Sequence, residues 1–134
     1  MAAQPRVYIV DDDEAVRASL RLLIELEGLP VEDFASGRAF LDACGTNPKG
    51  CLVLDVHMPD MSGVEVLEAL RRRGAFLPTI LVTGRSDGPL RTRARAAGAI
   101  RLVEKPFAVD AMLDLVHGTF DGGASRRDPD GTPD

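Results

Sequence analysis

Asp11-Asp12, Asp55, Thr83 and Lys105 each close a short apolar run with a side chain suited to handling phosphate. Three carboxylates drawn together where water screens them only partly oppose one another's ionisation, and at least one pKa must rise unless a cation is bound. A divalent metal removes the conflict. The donors are hard oxygens with no histidine or cysteine required, which selects Mg2+, or Mn2+, over zinc or copper. Magnesium also keeps much of its hydration and takes a phosphate oxygen readily. Lys105 offers a compact positive charge to pair with Asp55 at rest and with a phosphoryl oxygen later, and Thr83 offers a hydroxyl donor. In that setting an aspartate is a nucleophile towards phosphorus, giving an aspartyl phosphate, with metal and lysine stabilising the charge in transfer.

These side chains meet only if the apolar runs are parallel strands of one sheet, because ligands of open α/β sheets bind outside the carboxyl ends of the strands. Residues 7–10 and 51–54 are apolar throughout and too short for helices, the pattern of strands covered on both faces, and Thr79-Ile80-Leu81-Val82 repeats it. Weaker strands are expected at 30–34 and 100–103. Val16, Leu20, Leu23 and Ile24 recur at helical spacing and predict a helix over 14–27, ended by Gly28. Ser36 caps a short helix carrying Phe40 and Leu41, and 45–50 reads as a loop.

A third helix over 64–73 turns Val64, Leu67 and Leu70 inward and sets Arg71, Arg72 and Arg73 against the negative end of its dipole. Helices near 89–97 and 109–117 complete the series. Strands alternating with helices at this spacing predict right-handed crossovers and a parallel sheet between helical layers, an α/β fold.

The length of 134 residues suits one domain, and 16 basic against 21 acidic residues, a net charge of -5, argue against a general nucleic-acid surface. Cys44 and Cys51 lack CxxC spacing and cannot supply a disulfide framework or a four-ligand zinc site, so both are expected as reduced, buried thiols. No basic start leads into a long apolar stretch and no run is long enough to span a bilayer, so a cytoplasmic protein without membrane contact is expected. Beyond Phe120 the chain is nearly devoid of apolar residues, and 119–134 is expected to be a disordered tail.

Val10-Asp11-Asp12-Asp13-Glu14, the run from Leu54-Asp55 through His57, Pro59 and Asp60 to Ser62-Gly63, Thr83-Gly84, and Glu104-Lys105-Pro106-Phe107 together resemble the receiver domain of two-component response regulators. The resemblance covers 5–118, and the wording around Thr83-Gly84 is most similar to the nitrogen-fixation regulator subfamily. It implies a flavodoxin-like, doubly wound five-stranded sheet of strand order 2-1-3-4-5. It implies Asp55 as phosphoacceptor, Asp12 as a direct Mg2+ ligand, Asp11 as a ligand largely through water, and the backbone carbonyl of His57 as a further ligand. The phosphodonor is then a histidine kinase or phosphotransfer protein. Such receivers catalyse only their own phosphorylation and dephosphorylation, so a signalling switch rather than a metabolic enzyme is expected.

The bond before Pro106 is commonly cis in this family. Phosphorylation there draws the threonine towards the phosphoryl group, and an aromatic side chain three residues before the lysine turns inward. Here that switch position is Leu102, which packs in either state but cannot repeat a ring's rotation. A second departure is the stretch Gly84-Arg85-Ser86-Asp87-Gly88-Pro89, followed by Arg91, Arg93, Arg95 and Arg101, which makes the fourth helix region locally basic. The resemblance implies a downstream protein partner or a homodimer through the fourth helix, fifth strand and fifth helix, and because the tail contains no helix-turn-helix and no catalytic motif, no output domain is expected in this chain. Two other readings stand beside the switch: a phosphorylation-independent interaction scaffold, and a Mg2+-dependent aspartyl-phosphate phosphohydrolase, against which His57 stands where such enzymes carry a second Asp.

Overall fold

The computed structural model describes residues 5–120. In chain order the elements are β1 (Arg6–Val10), α1 (Glu14–Leu26), β2 (Val31–Phe34), α2 (Gly37–Ala43), β3 (Gly50–Asp55), α3 (Gly63–Arg72), β4 (Thr79–Thr83), α4 (Gly88–Ala97), β5 (Arg101–Glu104) and α5 (Val109–Phe120). The strands form one sheet in the order β2-β1-β3-β4-β5, every neighbouring pair parallel. The expected flavodoxin-like arrangement is therefore present.

Strand periodicity explains why the central strands read as unbroken apolar runs. Successive side chains leave a strand on opposite faces, and both faces here are covered. Tyr8, Val10, Leu52, Leu54 and Leu81 join Phe40, Leu67 and Leu70 in one core layer. Val7, Ile9, Cys51, Val53, Ile80 and Val82 join Leu20, Ile24, Met112 and Val116 in the other. Because the register pairs Val10 with Leu54, Leu54 with Leu81 and Thr83 with Glu104, the polar residues that close these strands line one edge.

Local chemistry sets the helix ends. The Asp13 carboxylate accepts from the amides of Ala15 and Val16, Ser36 from Ala39, and Asp87 from Leu90. Ser62 and Glu65 form a reciprocal capping box at α3, satisfying two amide donors at once.

Several expectations need correction. Gly50, expected in a loop, begins β3 with φ +124°, and a Cβ there would meet the Arg6 carbonyl oxygen at 1.8 Å. Backbone proximity, not flexibility, requires that glycine. Arg71 and Arg73 do more than meet a dipole: their guanidinium groups donate to the carbonyls of Ala96 (3.0 Å) and Leu41 (2.8 Å), tying α3 to α4 and α2. Cys51 is buried, but Cys44, at the end of the short α2, is only partly so. Helix α5 runs through Phe120, beyond the expected helix end near 117 and into the stretch expected as a tail from 119, and the Thr119 hydroxyl donates to the Leu115 carbonyl within it. The expected disorder of 121–134 lies outside the described residues. Among the described residues no helix is long and apolar enough to cross a membrane.

Candidate functional site

Asp55 is the last residue of β3, and Asp11 follows directly on β1. Parallel pairing of these neighbours sets the carboxylates side by side, and one oxygen each from Asp11, Asp12 and Asp55 lie within 4.8 Å of one another. Asp11 and Asp55 are buried while Asp12 is exposed. Lys105, just past β5, reaches across with Nζ 3.2 Å from Asp55 Oδ1 and 3.3 Å from Asp11 Oδ2. The lysine thus bridges two acids rather than the single expected one.

Burial pushes the Asp55 carboxyl above the ordinary aspartate range, the Asp11 carboxylate pushes the same way, and the Lys105 ammonium offsets them only in part. Burial draws the Lys105 ammonium down, but the Asp11 and Asp55 carboxylates outweigh it and hold the group above the ordinary lysine range. One ammonium is too little charge for three clustered carboxylates. An all-oxygen donor set with excess negative charge, partly open to water through Asp12, fits a hard divalent cation such as Mg2+.

The surroundings hold these side chains in place. Asp11 Oδ1 accepts from the Asp13 amide at 2.8 Å, leaving Oδ2 for the lysine. Arg17 on α1 donates through Nη1 to the Asp11 carbonyl at 2.7 Å and through Nε to Asp33 Oδ2 at 2.8 Å, and Arg21 pairs with the other oxygen of Asp33. Residues 17 and 21 lie one helical turn apart on one face, the only sequence signal for this clamp. Behind Asp55, a Cβ on Gly63 would come within 2.5 Å of the Asp55 carbonyl oxygen. Burial opposes it, but the amides of Arg38, Met61 and Gly37 hold the Asp60 carboxyl below its ordinary range, so the loop after β3 is fastened to the start of α2.

The remaining predicted residues are less directly engaged. Thr83 is fully buried, and its hydroxyl donates to the Arg85 carbonyl at 2.9 Å while accepting from the Arg85 amide at 3.2 Å. That hydroxyl is turned into the following loop. His57 is exposed, and Leu102 is half-buried against the core layer shared with α2, α3 and α4. The Lys105 amide donates to the Thr83 carbonyl at 2.7 Å, and the Lys105-Pro106 bond is cis. Glu104, not singled out from sequence as a site residue, accepts from the Ser86 amide at 2.7 Å. Its neighbour in the chain reaches the acidic cluster, so the end of β5 touches both the cluster and the loop before α4.

Residues 7–117 match the response regulator receiver domain family. The transcriptional regulatory protein FixJ of Azorhizobium caulinodans is 42% identical over 120 residues, covering 90% of this chain and 57% of that protein. The response regulator protein TmoT of Ectopseudomonas mendocina is 43% identical over 110 residues, covering 82% and 50%. The chain therefore spans about half the length of these relatives. Among solved structures, the response regulator StyR superposes with a TM-score of 0.84 at 41% identity, covering 93% of this chain and 63% of that one. FixJ-N superposes with a TM-score of 0.80 at 37% identity, covering 90% and 96%.

Proposed function

The chain belongs to the response regulator receiver domain family, and we propose that it is a phosphorylation switch in which Asp55 accepts a phosphoryl group from a histidine kinase or phosphotransfer protein. The observation that carries this reading is Lys105 Nζ seated between Asp55 Oδ1 and Asp11 Oδ2 at 3.2 and 3.3 Å. An Asp55 oxygen forms the bond to phosphorus as the phosphorus–nitrogen bond of a phosphohistidine breaks, and the leaving imidazole keeps the bonding pair and takes up a proton. Lys105 exchanges part of its contact with Asp55 for a phosphoryl oxygen.

Asp11, Asp12 and Asp55, with the backbone carbonyl of His57, would hold Mg2+, which supplies positive charge against the oxygens of the transferring group. Thr83 leaves the Arg85 carbonyl to donate to the phosphoryl group, and the altered loop, with α4, β5 and α5, engages a downstream protein or a second copy of the chain. The exposed arginines Arg91, Arg93 and Arg95 favour an acidic surface on that partner.

Intact-mass spectrometry after incubation with Mg2+ and acetyl phosphate tests this reading. A single phosphoryl adduct is expected, absent in Asp55→Asn and absent when EDTA removes the metal. An adduct that persists in Asp55→Asn would overturn it.

A further inference from the structure

The loop between β4 and α4 is held at two points, and each hold comes from the end of a neighbouring strand. Thr83, closing β4, bonds both backbone groups of Arg85 through its hydroxyl. Glu104, closing β5, accepts from the Ser86 amide at 2.7 Å through Oε2. A short bond from an amide to a carboxylate is charge-assisted and stronger than a neutral one. Arg91 Nη1 donates to the Ser86 hydroxyl at 2.9 Å, and Asp87 caps α4 immediately afterwards.

Strand parity explains why Glu104 reaches this loop. Residues two apart share a face: Leu102 packs with the layer that includes α4, while Val103 packs with the opposite layer. Glu104 leaves the sheet on the side of Leu102, and it does so from the exposed edge strand. The coupling that an aromatic residue would give at position 102 is unavailable to leucine. The polar link from β5 to the loop is Glu104–Ser86.

The ends of the held segment border open space. Gly84 and Gly88 flank it, and a Cβ at either would meet no heavy atom within 4 Å, so close packing requires neither glycine.

We infer that Glu104 is a latch: by holding the Ser86 amide it keeps the β4–α4 loop, and through Arg85 the Thr83 hydroxyl, in the resting arrangement, and it releases the loop when Asp55 is phosphorylated. This rests on the phosphorylation reading above. Drawing Thr83 away from the Arg85 carbonyl displaces the residue next to Ser86, so the two holds part together. Glu104 is a positioning residue, since it touches neither the acidic cluster nor the phosphoryl group.

The test measures the rate of adduct formation from acetyl phosphate with Mg2+ by intact mass, for wild type, Glu104→Ala and Glu104→Gln. If the latch holds the less reactive state, removing it raises the fraction of molecules competent for phosphorylation. Glu104→Ala is then phosphorylated roughly 3- to 10-fold faster, and Glu104→Gln, whose amide oxygen still accepts from Ser86, stays within about 2-fold of wild type. A merely structural role would slow the alanine variant or leave its rate unchanged, and either result overturns the latch while the wild-type adduct upholds the parent reading. Absence of any adduct in the wild type would remove the parent reading and the latch together. Far-UV circular dichroism and cooperative urea unfolding of each variant establish that the compared proteins are folded.

Discussion

Gly63 lies so close to the backbone of Asp55 that a Cβ at position 63 would stand 2.5 Å from the Asp55 carbonyl oxygen. The first residue of α3 is pressed beneath the strand end that carries the Asp55 carboxylate, and the Gly63 amide donates to the Val56 carbonyl at 2.9 Å.

Gly63→Ala therefore forces β3 and α3 apart at the site. Overpacking against backbone, which cannot rotate away as a side chain can, is expected to destabilise by about 1–3 kcal/mol. Urea unfolding should report a lower midpoint, and Mg2+ titration should report weaker binding because Asp55 is displaced.

Asp55→Asn is expected to stabilise the metal-free protein at neutral pH. The folded-state pKa of Asp55 is raised by burial and by Asp11, so this group favours folding below its unfolded pKa, and that contribution is lost as pH rises through the folded value. Above that point the ionised carboxylate weighs against the fold, and the amide removes the charge. Thermal unfolding in EDTA should show a gain of roughly 2–6 °C at neutral pH. The gain should shrink as pH falls into the ordinary aspartate range, and shrink also when excess Mg2+ stabilises the wild type.

Lys105→Ala leaves Asp11 and Asp55 facing each other without their shared ammonium. A loss of about 1–3 kcal/mol is expected, below that of a fully buried pair because Lys105 is partly exposed. The raised lysine pKa places its contribution in full below the unfolded lysine value, with loss only as alkaline pH rises through the folded one. Urea unfolding across the neutral range should accordingly show a constant deficit. Adding Asp55→Asn should recover part of it, giving a coupling energy in a double-mutant cycle.

The two thiols should differ in reactivity. Burial pushes the Cys51 thiol up to about 12, whereas Cys44, also raised by burial, is partly exposed. Only the thiolate attacks an alkylating agent. Iodoacetamide on the native protein is expected to add first at Cys44, with Cys51 modified after unfolding in urea, as peptide mapping would show.

The order of residues along the chain already determined which polar side chains gather at one edge of the sheet. Apolar runs ending at Asp11, Asp55, Thr83 and Lys105 are local signals, and a sheet with parallel strands brings such endings to one edge whatever the detailed packing. Gly28 and Ser36 were legible for the same reason, since turn and cap preferences act within a few residues. Tertiary packing decided what each polar atom does once it arrives. Lys105 bridges Asp11 as well as Asp55, the Thr83 hydroxyl bends to Arg85, Arg17 clamps the Asp11 carbonyl, and Glu104 holds Ser86. Most of these contacts join residues far apart in the chain, and each depends on register and rotamer. A difference of an ångström selects among acceptors that residue identity leaves equivalent.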